Sequence, residues 1–407
     1  MKYSRSGQFN LSVATITTNN EHPIVLDIST SFIDISIYES IFTGVMSGAI
    51  TIVDTYNLIQ RYGFGNGEKI SLQWNTVGIE NSEIFVQGIV YDINGPNKIN
   101  EHTAGYTLHF SSVEMINSNR KKLFNGYKNT PSFIVSDIFK KIERGYKTKK
   151  LDSIGTKNIE EIVLTGNTPL QAIQLLSKRS VSKSGEFGYI FYEDNEKFNF
   201  KPIEYLYKQP SQIEYFYRDS AVFNNVDNAH EESFNVVQDF SLDTSNSFSD
   251  SLLDGQYGSQ WGTLALEDKT LNIYQYDIKK DYSKSKSLGS SPVMLDRNFN
   301  SEFLDSLNIM YTLYHQQNES SRHKNKMTLL RANNIVFNIG VFGNSSLKVG
   351  TVCNLNVPSF STDSLGLRKI DLLSGKFLIS EIKHIITPKS YNQRIQVIKD
   401  AFEETIA

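Results

Sequence analysis

The sequence predicts a mainly β protein with α+β inserts, built on two similar small antiparallel β-barrels. Period-two alternation of apolar and polar residues recurs near both ends of the chain, the spacing of strands with one dry face. Tyr and Phe are abundant, with 21 and 25 residues, which favours strands and aromatic-rich surfaces. Thr-Pro pairs followed by apolar residues at helical spacing are confined to the middle. Divided on these grounds, the chain has a first barrel over residues 1–113 and an α+β insert over 114–203. A second barrel joins 204–240 with 330–407, and a loop-rich, helical insert covers 241–329.

In the first barrel, Ile33, Ile35 and Ile37 alternate with Asp34, Ser36 and Tyr38. Gly44 permits a turn, and Gly48, Ile50 and Ile52 alternate with Ala49, Thr51 and Val53 in a second strand that ends at Asp54. A polar loop from Asn57 leads into Gly63-Phe64-Gly65-Asn66-Gly67, after which Ile70, Leu72 and Trp74 mark a third strand. Gly-x-Gly invites a phosphate-binding reading, but a phosphate-cradling turn needs a helix after it, with amides facing the anion. A strand follows here, so the cluster reads as a flexible inter-strand loop. Ile84, Val86 and Val90 on one face, with Phe85, Ile89 and Tyr91 on the other, predict a strand covered on both sides. Asn94-Gly95-Pro96-Asn97 predicts a turn, and Tyr106, Leu108 and Phe110 the closing strand.

Thr130-Pro131 opens a helix carrying Phe133, Ile134, Ile138 and Ile142, and Thr168-Pro169 opens another with Leu170, Ile173 and Leu176. They flank the run Ile162-Val163-Leu164. A hairpin follows, with Tyr189, Phe191, Phe198 and Phe200 around the turn Glu193-Asp194-Asn195-Glu196. The basic run Lys140, Lys141, Arg144, Lys147, Lys149 and Lys150 fits solvated cations complementing a helix C-terminus better than a partner site. Strand is expected again at Tyr205, Tyr207, Tyr215 and Tyr217. The polar stretches 243–251 and 283–291 read as surface excursions, with Trp261 and Leu264-Ala265-Leu266 between them apolar enough to dock. Residues 302–318 predict a helix with Phe303, Leu304, Leu307, Met310, Tyr311 and Tyr314.

Strands return with Ile335, Phe337 and Ile339, then Cys353, Leu355 and Val357, then Ile379, Ile382 and Ile386. The barrel cores are expected to contain Ile35, Ile37, Ile50, Ile52, Ile70, Leu72, Leu355, Val357, Ile379 and Ile382.

A chain of 407 residues exceeds one core. With 41 basic against 44 acidic residues, bulk positive charge for reading nucleic acid is excluded. The single Cys353 excludes an intrachain disulfide and, without a His or Arg neighbour, reads as a buried structural thiol. No apolar run is long enough for a membrane segment, and the start at Met1 lacks a signal-peptide core, so synthesis and folding in a cytoplasm are expected. The histidines His22, His102, His109, His230, His315, His323 and His384 are scattered, and no nucleophile-elbow or P-loop pattern occurs. Asp194 and Glu196 form an acidic pair, but spacing alone does not set two carboxylates at a working separation. The expectation is no enzyme, no catalytic residues, no cofactor and no metal.

Gly67 to Trp74 matches Gly350 to Val357 in spacing, and Ile84 to Ile89 matches Phe377 to Ile382, an internal repeat of the two barrels. An opening barrel, a Thr-Pro helix pair with a hairpin, and a closing Gly340–Gly350 segment that leads to Asn354-Leu355-Asn356-Val357-Pro358 follow in that order. This arrangement resembles the central baseplate hub proteins of contractile-tailed phages, a superfamily containing the T-even-type hub and the N-terminal hub region of VgrG spike proteins. The resemblance implies a structural virion protein of the tail baseplate, assembled in the host cytoplasm. It implies a homotrimer in which two barrels per chain surround a channel and mimic sixfold symmetry. The implied partners are a central spike protein, a tail tube or tube-initiator protein and the surrounding wedge proteins, with DNA only in passage. Because the sequence stops at Ala407, the spike is expected to be a separate chain. A VgrG-like hub of a contractile injection system and a tail-tip carbohydrate- or receptor-binding protein remain as alternatives. For a channel, the inner wall is expected to be polar or mildly acidic, with Lys140 to Lys150 outside, because phosphate contacts would slow transit.

Overall fold

The structure, a computed structural model, describes residues 7–55, 57, 61–79, 82–100, 103–142, 149–217, 234–243, 248–256, 258–265, 269–277, 287–288, 291–292, 309–312, 319–356, 358–362, 368–370 and 374–402.

The first barrel contains β1 (Phe9–Thr17), β2 (Val25–Asp27), β3 (Phe32–Ser40), β4 (Ser47–Asp54), β5 (Lys69–Thr76), β6 (Ile84–Asn100) and β7 (Thr103–Ser112). They pair antiparallel in the order β3-β4-β7-β6-β5-β1-β2. Ile35, Ile37, Ile50, Ile52, Ile70 and Leu72 point inward and are fully buried, as are Trp74 and Leu108. Phe110 fills the middle because two glycines make room for it: a Cβ on Gly48 would stand 2.3 Å from its ring, and one on Gly88 2.5 Å.

Three local expectations fail in this barrel. Ile33 is 49% exposed, because a bulge between Phe32 and Asp34 shifts the alternation and gives the inner position to Phe32. Phe85 and Tyr91 are 43% and 48% exposed, so in the single chain β6 has one dry face. Asn94 to Asn97 is no chain reversal. Asn94 lies opposite Thr107 and Asn97 opposite Gly105, so Gly95 and Pro96 are a bulge inside β6.

The insert runs α1 (Val113–Asn119), β8 (Gly126–Asn129), α2 (Pro131–Ile142), β9 (Leu151–Ser153), β10 (Glu160–Val163), α3 (Pro169–Ser177), β11 (Tyr189–Glu193), β12 (Phe198–Pro202) and α4 (Ile203–Leu206). A capping box starts α3: Thr168 Oγ1 accepts from the Gln171 amide, and Gln171 Oε1 accepts from the Thr168 amide. The stripe of α2 is Ile134, Val135, Ile138, Phe139 and Ile142, packed with Ile173 and Leu176 of α3 and with the β11–β12 hairpin. Phe133 lies off that stripe and is 58% exposed, against expectation. In the hairpin Phe191 stacks on Phe198 with ring centroids 5.7 Å apart. Residues 203–206 form α4 where strand was expected, because Ile203, Leu206 and Tyr207 bury at helical spacing.

Next come β13 (Ser211–Tyr217), β14 (Val236–Val237), β15 (Asp239–Asp243), α5 (Phe248–Leu253), β16 (Gly258–Ala265), β17 (Thr270–Asp277), β18 (Ser291–Pro292), β19 (Ile309–Thr312) and α6 (Glu319–Ala332). The stretch between the two polar segments is thus a long antiparallel β16–β17 hairpin. The segment Ile309–Thr312 pairs parallel with β16 instead of forming the expected helix, a strand edge overriding helical spacing; the rest of that expected helix lies outside the described residues.

The chain closes with β20 (Ile335–Phe342), β21 (Val352–Asn356), β22 (Pro358–Thr362), β23 (Arg368–Ile370), β24 (Gly375–Ile386), β25 (Tyr391–Lys399) and β26 (Ala401–Phe402). The second barrel follows the order β13-β21-β24-β25-β20-β15. One short segment, β14 with β15, pairs first with β13 and then with β20 and so completes the ring. Leu355, Ile379 and Ile382 are buried in its core with Val352, Phe377 and Ile395, while Val357 lies outside the described residues.

Burial pushes the Cys353 thiol up to about 12. At pH 8 a disulfide reagent should leave the folded protein unmodified and should titrate the single thiol only in denaturant. Full modification without denaturant would show that the strand is not packed as described.

Candidate functional site

The two barrels meet through one strand. The first half of β24, Gly375–Leu378, hydrogen-bonds β21 of the second barrel, and Glu381–Ile386 hydrogen-bonds β3 of the first. Its other edge pairs with β25 along the way. Both barrels therefore share one continuous sheet.

Behind that sheet, the stretch Gly343-Asn344-Ser345-Ser346-Leu347-Lys348-Val349-Gly350 touches both barrels and the insert. Gly343 must be glycine, because a Cβ there would lie 2.1 Å from the ring of Tyr391. Asn344 turns the chain, its Oδ1 accepting from Ser346 N and Oγ at 2.9 and 2.7 Å. Its amide donates to Gln393 Oε1, and its carbonyl accepts from Gln393 Nε2. Ser345 reaches the first barrel: its amide and hydroxyl donate to Thr76 Oγ1, and its hydroxyl accepts from the Thr76 amide at 2.8 Å. Leu347 and Val349 bury in the second barrel. Lys348 pairs with Glu196 of the insert at 2.7 Å, and Gly350, at φ +79°, leaves room for the Tyr192 hydroxyl.

Tyr391 is the centre of the contact. It is fully buried, its amide donates to the Gly7 carbonyl at 2.9 Å, and its ring meets Trp74 edge-on with centroids 6.3 Å apart. The hydroxyl lies 2.7 Å from His384 Nδ1 and accepts from Gln393 Nε2 at 3.1 Å. His384 Nε2 is 3.2 Å from Glu39 Oε1 on β3. With Glu39 as the acceptor, Nε2 carries the proton and Nδ1 accepts from Tyr391. A glutamate, a histidine, a tyrosine and a glutamine from both barrels thus form one buried chain.

The outward face of the same sheet is polar. Lys383 Nζ sits 5.0 Å from the centre of the Tyr38 ring, Glu381 accepts from Ser40 Oγ at 3.0 Å, and Thr51 and Thr107 share a hydroxyl contact of 3.2 Å. A groove of about 530 Å³ runs over it, with Lys383 and Arg394 balanced by Glu381 and Asp239.

The residues weighed for other roles are dispersed. Lys141 pairs with Asp137 at 3.2 Å, and Lys149 pairs with Glu193 at 2.9 Å, which holds two members of the basic run within the insert. Lys140 and Lys150 are exposed, and Arg144 and Lys147 lie outside the described residues. Asp194 is a turn residue whose Oδ1 accepts from the Glu196 and Lys197 amides at 2.8 Å each, and Oδ2 accepts from Asn199. His109 bonds Asn94, His323 bonds Ser259, and His102, His230 and His315 lie outside the described residues. Among the described residues no cluster of three or more His, Cys, Asp or Glu side chains is placed to hold a metal, and no helix is long and apolar enough to cross a membrane.

No protein-family model matches the chain. No curated protein matches it either. Solved structures do. A tail protein from Neisseria meningitidis MC58 superposes with a TM-score of 0.55 at 10% identity, covering 95% of this chain and 96% of that one. A 43 kDa tail protein of prophage MuSo2 from Shewanella oneidensis gives 0.55 at 11% identity over 96% and 100%. A chain of the lidless PdpA–VgrG complex gives 0.53 at 10% identity, over 100% of this chain and 68% of that one. The mainly β fold with two joined barrels is the fold of these tail and VgrG-complex proteins.

Proposed function

We propose that the chain is the hub of a phage tail baseplate, a homotrimer that joins the tail tube to the central spike and surrounds a channel for the genome. The observation that carries this reading is the passage of β24 from one barrel into the other. Two barrels fused edge to edge behave as two adjacent subunits of a ring, and rotation by a threefold axis repeats the pair around six positions. The polar, charge-balanced outward face of the shared sheet suits a wall along which DNA passes without being held. The exposed Phe85 and Tyr91 lie on a barrel face that neighbouring copies would cover. The role is structural, and incubation with peptidoglycan should produce no clearing. The likeness to a chain of the PdpA–VgrG complex supports a second reading, the same hub in a contractile injection system.

Light scattering on the purified chain, alone and with its spike protein, is expected to report a trimer burying well above roughly 1,600 Å² per contact. A monomer at high concentration in both mixtures would end the proposal.

A further inference from the structure

We infer that copies of this chain are joined by a β-ladder between the second half of β6 in one copy and β15 in the next, repeating the joint that β24 and β3 make within each chain. The inference rests on the trimer reading and names the two surfaces that meet in it.

It follows from the equivalence of β6 and β24. In the first barrel the Gly67 amide donates to the Val90 carbonyl at 2.8 Å, and the Val90 amide donates to the Glu68 carbonyl at 2.9 Å. In the second, the Gly350 amide donates to the Ile379 carbonyl at 2.8 Å, and the Ile379 amide donates to the Thr351 carbonyl at 2.9 Å. Both glycines have positive φ, and each strand then bulges at once, between Val90 and Asp92 in β6 and between Ile379 and Glu381 in β24. Val90 therefore corresponds to Ile379. Ile37, Gly48, Phe110 and Val90 form one row of paired residues across the first barrel. Leu242, Phe337, Val397 and Ile379 form the same row across the second, which sets β15 in the place of β3 and Leu242 in the place of Ile37.

The equivalence breaks at one edge. Beyond its bulge, β24 carries β3 from Glu381 to Ile386 on the edge that β21 leaves. Beyond its own bulge, β6 has no strand on the β5 side among the described residues, and Asp92, Asn94, Asn97 and Lys98 are exposed. Likewise β15 bonds β20 along one edge, with no strand beside Phe240–Leu242 on the other among the described residues. Leu242 is 46% exposed, whereas Ile37, under the β24 ladder, is fully buried. Such an edge is a template for another strand. Within one chain the two cannot meet, because β6 lies three strands from the joint on one side and β15 three strands from it on the other. A second copy supplies the missing strand, and every barrel then has the same two neighbours as the ring closes. The β24–β3 register, transferred to this ladder, sets Asn94 opposite Asp243, Leu242 against the Gly95-Pro96 bulge and Asn97 opposite Ser241.

Cysteines at directly opposed positions are within disulfide reach, and the native Cys353 is buried. In the mixture where the chain is trimeric, the Asn97→Cys/Ser241→Cys double variant, mildly oxidised, should run as a covalent trimer on a denaturing gel. Each single variant should run as a monomer, since the contact joins different surfaces. Leu242→Asp should weaken self-association by about tenfold or more on dilution, read by light scattering, with an unchanged circular dichroism spectrum. A trimer that stays uncross-linked, one whose single variants cross-link to themselves, or one that Leu242→Asp leaves at full strength would overturn the ladder and leave the hub reading standing. A monomer in every mixture would overturn both.

Discussion

Replacing Tyr391 by alanine should cost the fold about 3–5 kcal/mol, the range for removing a fully buried aromatic ring. The ring is wedged between Trp74 and Phe9 of the first barrel and stacks on His384 of β24, so the loss falls on the joint between the barrels. Tyr391→Phe keeps the ring and removes the hydroxyl that His384 and Gln393 meet, and should cost about 1–3 kcal/mol. The sharper check is coupling. Gly343→Ala forces a methyl to within 2.1 Å of the Tyr391 ring and should itself cost about 1–3 kcal/mol. In the Tyr391→Ala background the same change meets empty space. A double-mutant cycle on urea midpoints should therefore show a coupling of at least about 1 kcal/mol. Additive effects would mean that the glycine and the ring do not face each other.

The barrels were legible because a strand with one dry face writes its burial into a period of two. Ile50 and Ile52, Ile70 and Leu72, and Phe337 and Ile339 are buried where alternation placed them. Alternation fails where an extra residue enters a strand. The bulge at Phe32 turned Ile33 outward, and Gly95-Pro96, residues equally suited to a turn and a bulge, sit inside β6. The helix α6 left no apolar period to find, since hydrogen bonds hold it in place as well as apolar contact. Asn325 accepts from the Gly188 amide and donates to the Lys178 and Ser180 carbonyls, and Arg331 is buried among carboxylates.

The junction was half legible. The Gly343–Gly350 stretch stood out as a resemblance, and its two glycines signal close approaches of the backbone to other groups. What they approach, Tyr391 and Tyr192, lies far away in the chain, as does the Ser345 partner Thr76. Long-range pairs of this kind leave no local period. His384 looked like one of seven scattered histidines, and only the fold brings Glu39 to it.

Between pH 4 and 7.5 the stability of the protein should fall by about 2 kcal/mol through one residue, Asp400, and Asp400→Asn should remove that part of the slope. Asp400 is fully buried at the end of β25, where burial raises its carboxyl from 3.8 to about 6 against the pull of Arg331. The pull is weak because the geometry is loose: Arg331 Nε is 3.5 Å from Asp400, and Arg331 Nη2 is 3.8 Å from Glu204. A carboxyl whose folded pKa lies above its unfolded value binds more protons in the folded state. Its stabilising contribution is complete below about 3.8 and is lost as pH rises through about 6. Asparagine keeps the Oδ1 that accepts from the Leu288 amide at 2.9 Å and does not titrate. The difference between wild type and variant, read from urea midpoints at pH 4, 6 and 7.5, cancels every other titrating group. It should shift by about 2 kcal/mol in favour of the variant as pH rises. Parallel slopes would mean that Arg331 holds Asp400 ionised throughout, and the buried pair at the foot of α6 would then be a true ion pair.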